Sequence, residues 1–244
     1  MKNHLILGAT SAIAQAYCRM HAGEDTRFWL IGRNQSRLDA VAADLLTRGA
    51  ASATVRTCVN GDYAGLEAAL GDGFRALQAF DVFLAAQGTL PDHAACENDA
   101  RLTAEVMQVN TIEVMQAALF VAKRFESRRA GSCVIIGSVA GDRGRRSNYI
   151  YGASKAALDT FCEGLRQRLL PAVQVLLVKP GPVDSPMTAL LAKTALFTTP
   201  EKVAADISAA IRRRSATIYS PGHWRVIMFL IRLLPRQIVK RLQA

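Results

Sequence analysis

Short apolar runs alternate along this chain with longer stretches whose apolar residues recur every three or four positions. HLIL at 4–7 and RFWLIG at 27–32 read as buried strands. Between 34 and 49, NQSRLDAVAADLLTRG has Asn34 as a cap candidate, a helical apolar period and Gly49 as a stop. ATVRTC (53–58) is a third strand, and 63–78 a weaker helix interrupted by Gly71 and Gly73. FDVFLAAQG (80–88) is a fourth strand, and one long helix covers Ala100 to Arg128. GSCVIIGSVAG (131–141) is a fifth strand, and a strong helix from Tyr151 ends before Pro171. A strand and loop at 173–183, a helix near 200–213 and a strand at 216–219 complete the pattern.

Strands alternating with helices predict βαβ units and a parallel, doubly wound α/β sheet. Ligands of such a sheet sit at the carboxyl ends of its strands. No linker or repeat divides the chain, so residues 1–220 form one expected domain and 221–244 a C-terminal extension.

Composition narrows the partners. Of 244 residues half are hydrophobic, and the formal net charge is +10. A basic excess favours a phosphorylated cofactor, nucleic acid or an anionic membrane face. Nucleic acid is the poorest fit, since there is no zinc-finger spacing, RNP-like aromatic motif or long basic block. Cys18, Cys58, Cys96, Cys133 and Cys162 are dispersed without a CxxC pair, as in reduced cytosolic proteins. His4, His21, His93 and His223 lie far apart, each structural or exposed, so no metal site is expected. MKNHLILGATSA does not read as a secretory leader, because a glycine ends its apolar run. The longest apolar run near the C-terminus, Val226 to Ile231, is too short to cross a bilayer.

GATSAIA (8–14) follows the first strand, where a dinucleotide-binding loop belongs. Gly8 permits the tight turn, and small Ala12 and Ala14 let backbone approach a pyrophosphate at the helix start. An ordinary strand-to-helix turn is the rival reading. The second strand ends Ile31-Gly32-Arg33, without the acid that would bond ribose hydroxyls. Arg33 there fits a 2′-phosphate, with Thr10 and Ser11 as further donors, which favours NADP(H) over NAD(H). Its rival reading is a surface charge at a helix entry.

SNYIYGASKAA (147–157) places two tyrosines before Lys155. Tyr151 is four residues away and shares a helix face with it, whereas Tyr149 is six away and expected to precede the helix. A free phenol has pKa about 10, and lowering it by roughly 3 units needs about 4 kcal/mol. An ammonium at about 4 Å supplies on the order of 4 kcal/mol at an effective dielectric near 20. Small residues Gly152, Ala153 and Ser154 leave room for a ligand, and Ser138 ends the preceding strand with a hydroxyl.

The chain resembles the short-chain dehydrogenase/reductase family, on GATSAIA, AAQG (85–88), VN (109–110), IIGSVAG (135–141), YGASK (151–155) and PGPVDSPM (180–187). The resemblance implies a Rossmann-type sheet of order 3-2-1-4-5-6-7 with helices on both faces, a nicotinamide cofactor and an Asn-Ser-Tyr-Lys tetrad. Carried onto this sequence, Tyr151 is the acid–base, Lys155 lowers its pKa and holds the nicotinamide ribose, and Ser138 orients the substrate oxygen. Asn110 supports a water linked to Lys155. The resemblance brings Ile13, Ala86 and Gly88 to the cofactor. Pro180, Gly181 and Val183 pass beside the nicotinamide, and Ser185 replaces a usual threonine. The adenine contact after the third strand falls to Asn60 or Asp62, with acidic Asp62 placed in the cofactor set. Homodimers or homotetramers are expected from the resemblance alone.

GDRGRRSNYIYGASKA and YSPGHWRVIMFLIRLLPR further resemble reductases of polyprenylphosphoryl (decaprenylphosphoryl) 2-keto-pentoses. That implies a ketone reduced to a secondary alcohol on a lipid-linked substrate. A reductase of another small ketone or acyl substrate and a non-catalytic NADP(H)-binding regulator are the rivals. Within 224–242, Arg225, Arg232, Arg236 and Lys240 fall on one helical stripe beside Trp224 and Phe229, with a kink expected at Pro235. Such a helix suits a membrane interface, or packing against another subunit or the substrate cleft. The expected location is cytoplasmic, with peripheral contact at the inner membrane face left open.

Overall fold

Strands β1 (Lys2–Leu7), β2 (Thr26–Gly32), β3 (Ser52–Thr57) and β4 (Val82–Ala85) form one side of a seven-stranded sheet, continued by β5 (Ser132–Ile136), β6 (Gln174–Pro180) and β7 (Thr217–Ser220). The structure, a computed structural model, describes residues 1–235. All neighbouring strands are parallel, in the order β3-β2-β1-β4-β5-β6-β7, which is the Rossmann-type order expected. Strand order reverses between β1 and β4, where Leu7 pairs with both Ile31 and Ala85.

Alternate residues of each strand feed two cores. Leu5, Leu7, Trp29 and Ile31 face α3 (Tyr63–Leu77), α6 (Glu113–Arg128) and α7 (Tyr149–Leu169). Ile6, Phe28 and Leu30 face α1 (Ala12–His21), α2 (Gln35–Thr47) and α8 (Pro200–Arg212). Burial on both faces explains why the strands read as continuous apolar runs. His4 and His21 are structural: His4 Nδ1 meets Tyr17 Oη at 3.2 Å, and His21 Nε2 meets Ser208 Oγ at 2.8 Å.

Several elements differ from the sequence expectation. α3 is continuous through Gly71 and Gly73. Gly73 is there for space: a Cβ would lie 3.0 Å from Trp29 Nε1 and 3.2 Å from Phe80 Cζ. Trp29 Nε1 donates to the Ala69 carbonyl at 3.0 Å, so the indole lies along the helix. The expected long helix is α5 (Ala100–Met107), a π-turn at Gln108–Ile112, and then α6. An unexpected short helix α4 (His93–Asn98) precedes it, with Asp92 Oδ1 accepting from the Ala95 amide at 2.8 Å. α7 begins at Tyr149 itself, so that tyrosine does not precede the helix. It turns away from Lys155, donating to Glu97 Oε1 at 2.7 Å. β5 stops at Ile136, and Ser138 caps a 3-10 turn at Val139–Gly141.

Beyond β7, α9 (His223–Leu233) buries Trp224 and Met228 against Val139. Arg225 and Arg232 stand exposed on it, and Arg236 and Lys240 lie outside the described residues. No helix among the described residues is long and apolar enough to cross a membrane.

Gly73→Ala tests the contact with Trp29. The added methyl crowds two core rings at a cost of about 1–3 kcal/mol, against a helix-propensity gain of at most about 1. A net loss of about 1 kcal/mol is expected, read as a fall of about 2–4 °C in the thermal midpoint.

Candidate active site

The carboxyl ends of the strands open into a cleft of about 990 Å³. Its position follows from the reversal of strand order, since the loops after β1 and β4 must diverge there. Gly8 leaves β1 with φ +76°, and a Cβ on it would lie 2.5 Å from the Gln87 amide nitrogen. Any other residue would separate the two strand exits. Thr10, Ser11, Ala12 and Ile13 line the cleft, whereas Ala14 is buried in the core. Ser11 caps α1 by position, yet its side chain makes no capping bond. The first-turn N–H groups of α1 therefore face the cleft with a free hydroxyl beside them, as an anion site requires.

Arg33 lies exposed at the end of β2 and lines the same cleft. Arg37, one turn into α2 and not picked out from sequence, lines it too. Neither makes an ion pair among the described residues. The signal available in sequence was the spacing of four across a helix start.

After β3 the structure divides the work between the two adenine candidates. Asp62 is the N-cap of α3, its Oδ1 accepting from the Gly65 amide at 2.8 Å, and it does not line the cleft. Asn60 and Cys58 do. Burial pushes the Cys58 thiol up to about 11, aided by Asp62 and Glu113, so it stays protonated at neutral pH. Glu113, also unforeseen, is a buried carboxylate that accepts from the Gly61 amide at 2.6 Å and from Gln87 Nε2. It ties the loop after β3 to the loop after β4.

Ala86 and Gly88 line the β4 exit. The π-turn turns Asn110 inward, as single π-turns in helices commonly do at functional sites. Asn110 is fully buried; its Oδ1 accepts from the Thr89 amide at 2.7 Å. Its Nδ2 donates to the Thr89 carbonyl at 2.9 Å and to Ser154 Oγ at 3.1 Å. Gly88 sits between Asn110 and Lys155: a Cβ would lie 3.2 Å from Asn110 Oδ1 and 3.4 Å from Lys155 Nζ.

Ser138, Tyr151 and Lys155 converge on this floor. The Ser138 hydroxyl sits beside the Tyr151 phenol, favouring its ionised form, and accepts from the Ala140 amide at 3.1 Å. Lys155 Nζ lies 6.0 Å from the centre of the Tyr151 ring and donates to the Ile136 carbonyl at 3.1 Å. The electrostatics differ from the sequence expectation. Burial pushes the Tyr151 phenol up, and the partner that pulls it back is Ser138 rather than Lys155. Burial also draws the Lys155 ammonium down to about 8. The Lys155 ammonium is not among the groups that shift the resting phenol, so the effect expected from the spacing of four is not what sets it here.

The far wall comes from Pro180, Gly181, Val183 and Ser185. Ser185 opens a 3-10 turn at Pro186–Thr188. Trp224, whose helix the sequence left open between a membrane interface, another subunit and the substrate cleft, is buried in this wall over Gly181. The donors fit a dinucleotide: a glycine cradle whose Cβ would strike backbone, a free helix start, two unpaired guanidiniums and a buried ammonium facing one cleft.

Comparison with known proteins agrees with this geometry. A family model described as short chain dehydrogenase matches residues 2–195. An uncharacterized oxidoreductase of Streptomyces coelicolor is 36% identical over 240 residues, covering 98% of this chain and 94% of its own. An uncharacterized oxidoreductase of Mycobacterium tuberculosis is 30% identical over 239 residues, covering 98% and 96%. A solved short-chain dehydrogenase from Sphingobium yanoikuyae in complex with NADPH has the same fold, with a TM-score of 0.79 at 22% identity over 97% of each chain.

The strained state of Lys155 is measurable. Its folded pKa lies below the unfolded value of 10.5, so burying its charge destabilises the fold fully below about pH 8. That cost fades as pH rises from 8 towards 10.5. Lys155→Met removes a penalty on the order of 3 kcal/mol, less the lost bond to Ile136. The variant is expected to melt above the wild type at pH 7, with the gap closing near pH 10; melting curves across pH check it.

Proposed function

The chain belongs to the short-chain dehydrogenase/reductase family and is an NAD(P)-dependent oxidoreductase, and on that premise we propose that it uses NADPH to reduce a ketone to a secondary alcohol. The observation that carries this reading is the Ser138 hydroxyl set beside the Tyr151 phenol on the floor of the cleft, with the Lys155 ammonium behind it.

Ser138 and Tyr151 hold the carbonyl oxygen by their hydroxyls. A nicotinamide held beside Pro180, Gly181 and Val183 would supply the hydride for the carbonyl carbon. Tyr151 gives its phenolic proton to the carbonyl oxygen as the alkoxide forms, leaving a phenolate that the Lys155 charge stabilises. A phenol held protonated by burial is poised as a donor, which suits reduction. Asn110 acts through Thr89 and Ser154, fixing the β4 exit against the helix that carries Tyr151 and Lys155. A regulator without catalysis has no use for this arrangement.

Arg33 and Arg37 support NADPH in particular. Two guanidiniums, Arg33 after β2 and Arg37 in the first turn of α2, have no carboxylate partner among the described residues and match a 2′-phosphate. Within the ketones we place the substrate as a polyprenyl-phosphate-linked keto-sugar. Arg145 lines the substrate end of the cleft without an ion-pair partner among the described residues, and suits a phosphate. On α9, Val226, Phe229, Leu230 and Leu233 are exposed beside Arg225 and Arg232, and Leu190 of the loop before α8 is fully exposed. An apolar face edged by arginines suits an anionic lipid surface.

The direct test is NADPH oxidation with the lipid-linked keto-pentose against simple ketones, with and without anionic liposomes. Turnover by the wild type and its loss by at least about 10²-fold in Tyr151→Phe, with NADPH binding retained, is the expected result; wild-type rates in that variant would refute the role of the phenol. For the cofactor, R33A/R37A is expected to lose about 2 kcal/mol or more of NADPH affinity and little NADH affinity. Equal losses for the two would assign the arginines elsewhere.

A further inference from the structure

Two residues that line the cleft each carry a buried polar atom with no hydrogen-bond partner among the described residues: Trp224 Nε1 and Asn148 Oδ1. Each goes against what its residue type normally does. Buried indole N–H groups nearly always find an acceptor, and Trp224 is only 5% exposed. Its ring is held over Gly181, where a Cβ would come within 2.0 Å of Nε1, and it packs against Val139, the neighbour of Ser138. Asn148 occupies the N-cap of α7, where an asparagine side chain ordinarily accepts from the first turn. Here it makes no capping bond.

An unmet buried donor or acceptor costs about 1–3 kcal/mol. A phenylalanine at 224 or a serine cap at 148 would avoid that cost without changing the fold. Both atoms flank the reacting groups: Asn148 is one helical turn before Tyr151, and Trp224 touches the residue after Ser138. One supplies a donor and the other an acceptor, the complement of a hydroxyl, which accepts one bond and donates one.

We propose that Trp224 Nε1 and Asn148 Oδ1 form a hydroxyl-recognition subsite, and that the substrates of this protein are α-hydroxyketones, with the carbonyl oxygen on Ser138 and Tyr151 and neighbouring hydroxyl oxygens on Trp224 and Asn148. This rests on the ketone-reductase reading above and adds the chemical class it selects. Trp224 and Asn148 are positioning residues, since the reacting oxygen belongs to Tyr151. Gly181 acquires a second reason to be glycine, because any side chain would displace the indole.

The test compares acetoin with butanone, two ketones that differ by the adjacent hydroxyl, in NADPH oxidation by the full chain. Wild type is expected to favour acetoin in kcat/KM by about tenfold or more. Trp224→Phe keeps the ring and removes the donor; Asn148→Ala removes the acceptor. Each is expected to reduce the preference by roughly fivefold, mainly through KM, as loss of about 1 kcal/mol requires. Thermal midpoints identify a variant that has lost its fold, and the other variant then decides.

A wild-type preference near one, or a preference unchanged in the folded variants, overturns the subsite. An equal loss for both ketones together with weaker NADPH binding in Trp224→Phe also overturns it, and gives the indole to the cofactor. No turnover of any ketone by wild type that binds NADPH normally defeats the ketone-reductase reading itself, and the subsite with it.

Discussion

Asn110 holds the two halves of the site in one place. Its three hydrogen bonds join the backbone of Thr89, at the exit of β4, to Ser154 in the middle of the Tyr151–Lys155 turn. Ser154 passes the connection on through its own bond to the Tyr151 carbonyl at 2.7 Å, and Thr111 Oγ1 bonds the Ser154 carbonyl at 2.8 Å. None of this would reach in a regular helix. One extra residue in the turn at 108–112 is what points Asn110 inward while Val109 and Thr111 still pack. An amide satisfied at both ends in a buried place is costly to leave half-made, so the geometry is held in one arrangement.

That rigidity is what allows the site to keep groups the fold would otherwise reject. Lys155 is 3% exposed with no carboxylate against it among the described residues, and it donates a hydrogen bond to one backbone carbonyl. A folded chain optimised for stability would place an apolar side chain there. The Tyr151 phenol is likewise held protonated by burial. Both departures favour the same chemistry: a neutral acid near the reacting oxygen, and a cation placed where a negative charge will appear. Stability is given up at the few positions where function needs desolvated polar atoms, as is common in active sites.

The parallel sheet was legible because burial on both faces writes strands as unbroken apolar runs and the helices between them kept their period, while its strand order came from the family resemblance. Gly8, Ser138, Tyr151 and Lys155 were legible because each sits where a strand ends or a helix turn repeats. What stayed hidden depends on contacts across the fold. The π-turn has no composition signal, since QVNTI reads as ordinary helix. Gly73 looked like part of a break because the neighbour that needs its space, Trp29, lies over forty residues away. Asp62 looked like a ligand for the cofactor, but a local capping bond to Gly65 was available first. Which of membrane, partner subunit or cleft Trp224 meets could not be read, because Gly181, which makes room for it, is remote in sequence. The shift of the Tyr151 phenol could not be read from the spacing to Lys155, because spacing carries no information about solvent.

The substrate wall is bound to the catalytic floor by a separate knot of charge. Asp142, at the end of the turn that starts at Ser138, has a fully buried side chain and pairs with Lys179. Lys179 also pairs with Asp159 of α7, two turns on from Tyr151, and directly precedes Pro180 and Gly181. Tyr219 of β7 donates to Asp142 at 2.7 Å, and Arg143 bonds the last carbonyls of α9 at Ile231 and Arg232. Replacing such a buried ion group by apolar residues would often be neutral for stability, so its use lies in specifying one arrangement. Here it makes the serine loop, the Gly181 loop and the base of α9 move as a single body. Trp224 therefore keeps its place relative to Ser138 whatever the exposed face of α9 meets, and a partner on that face can approach without loosening the groups that hold the substrate.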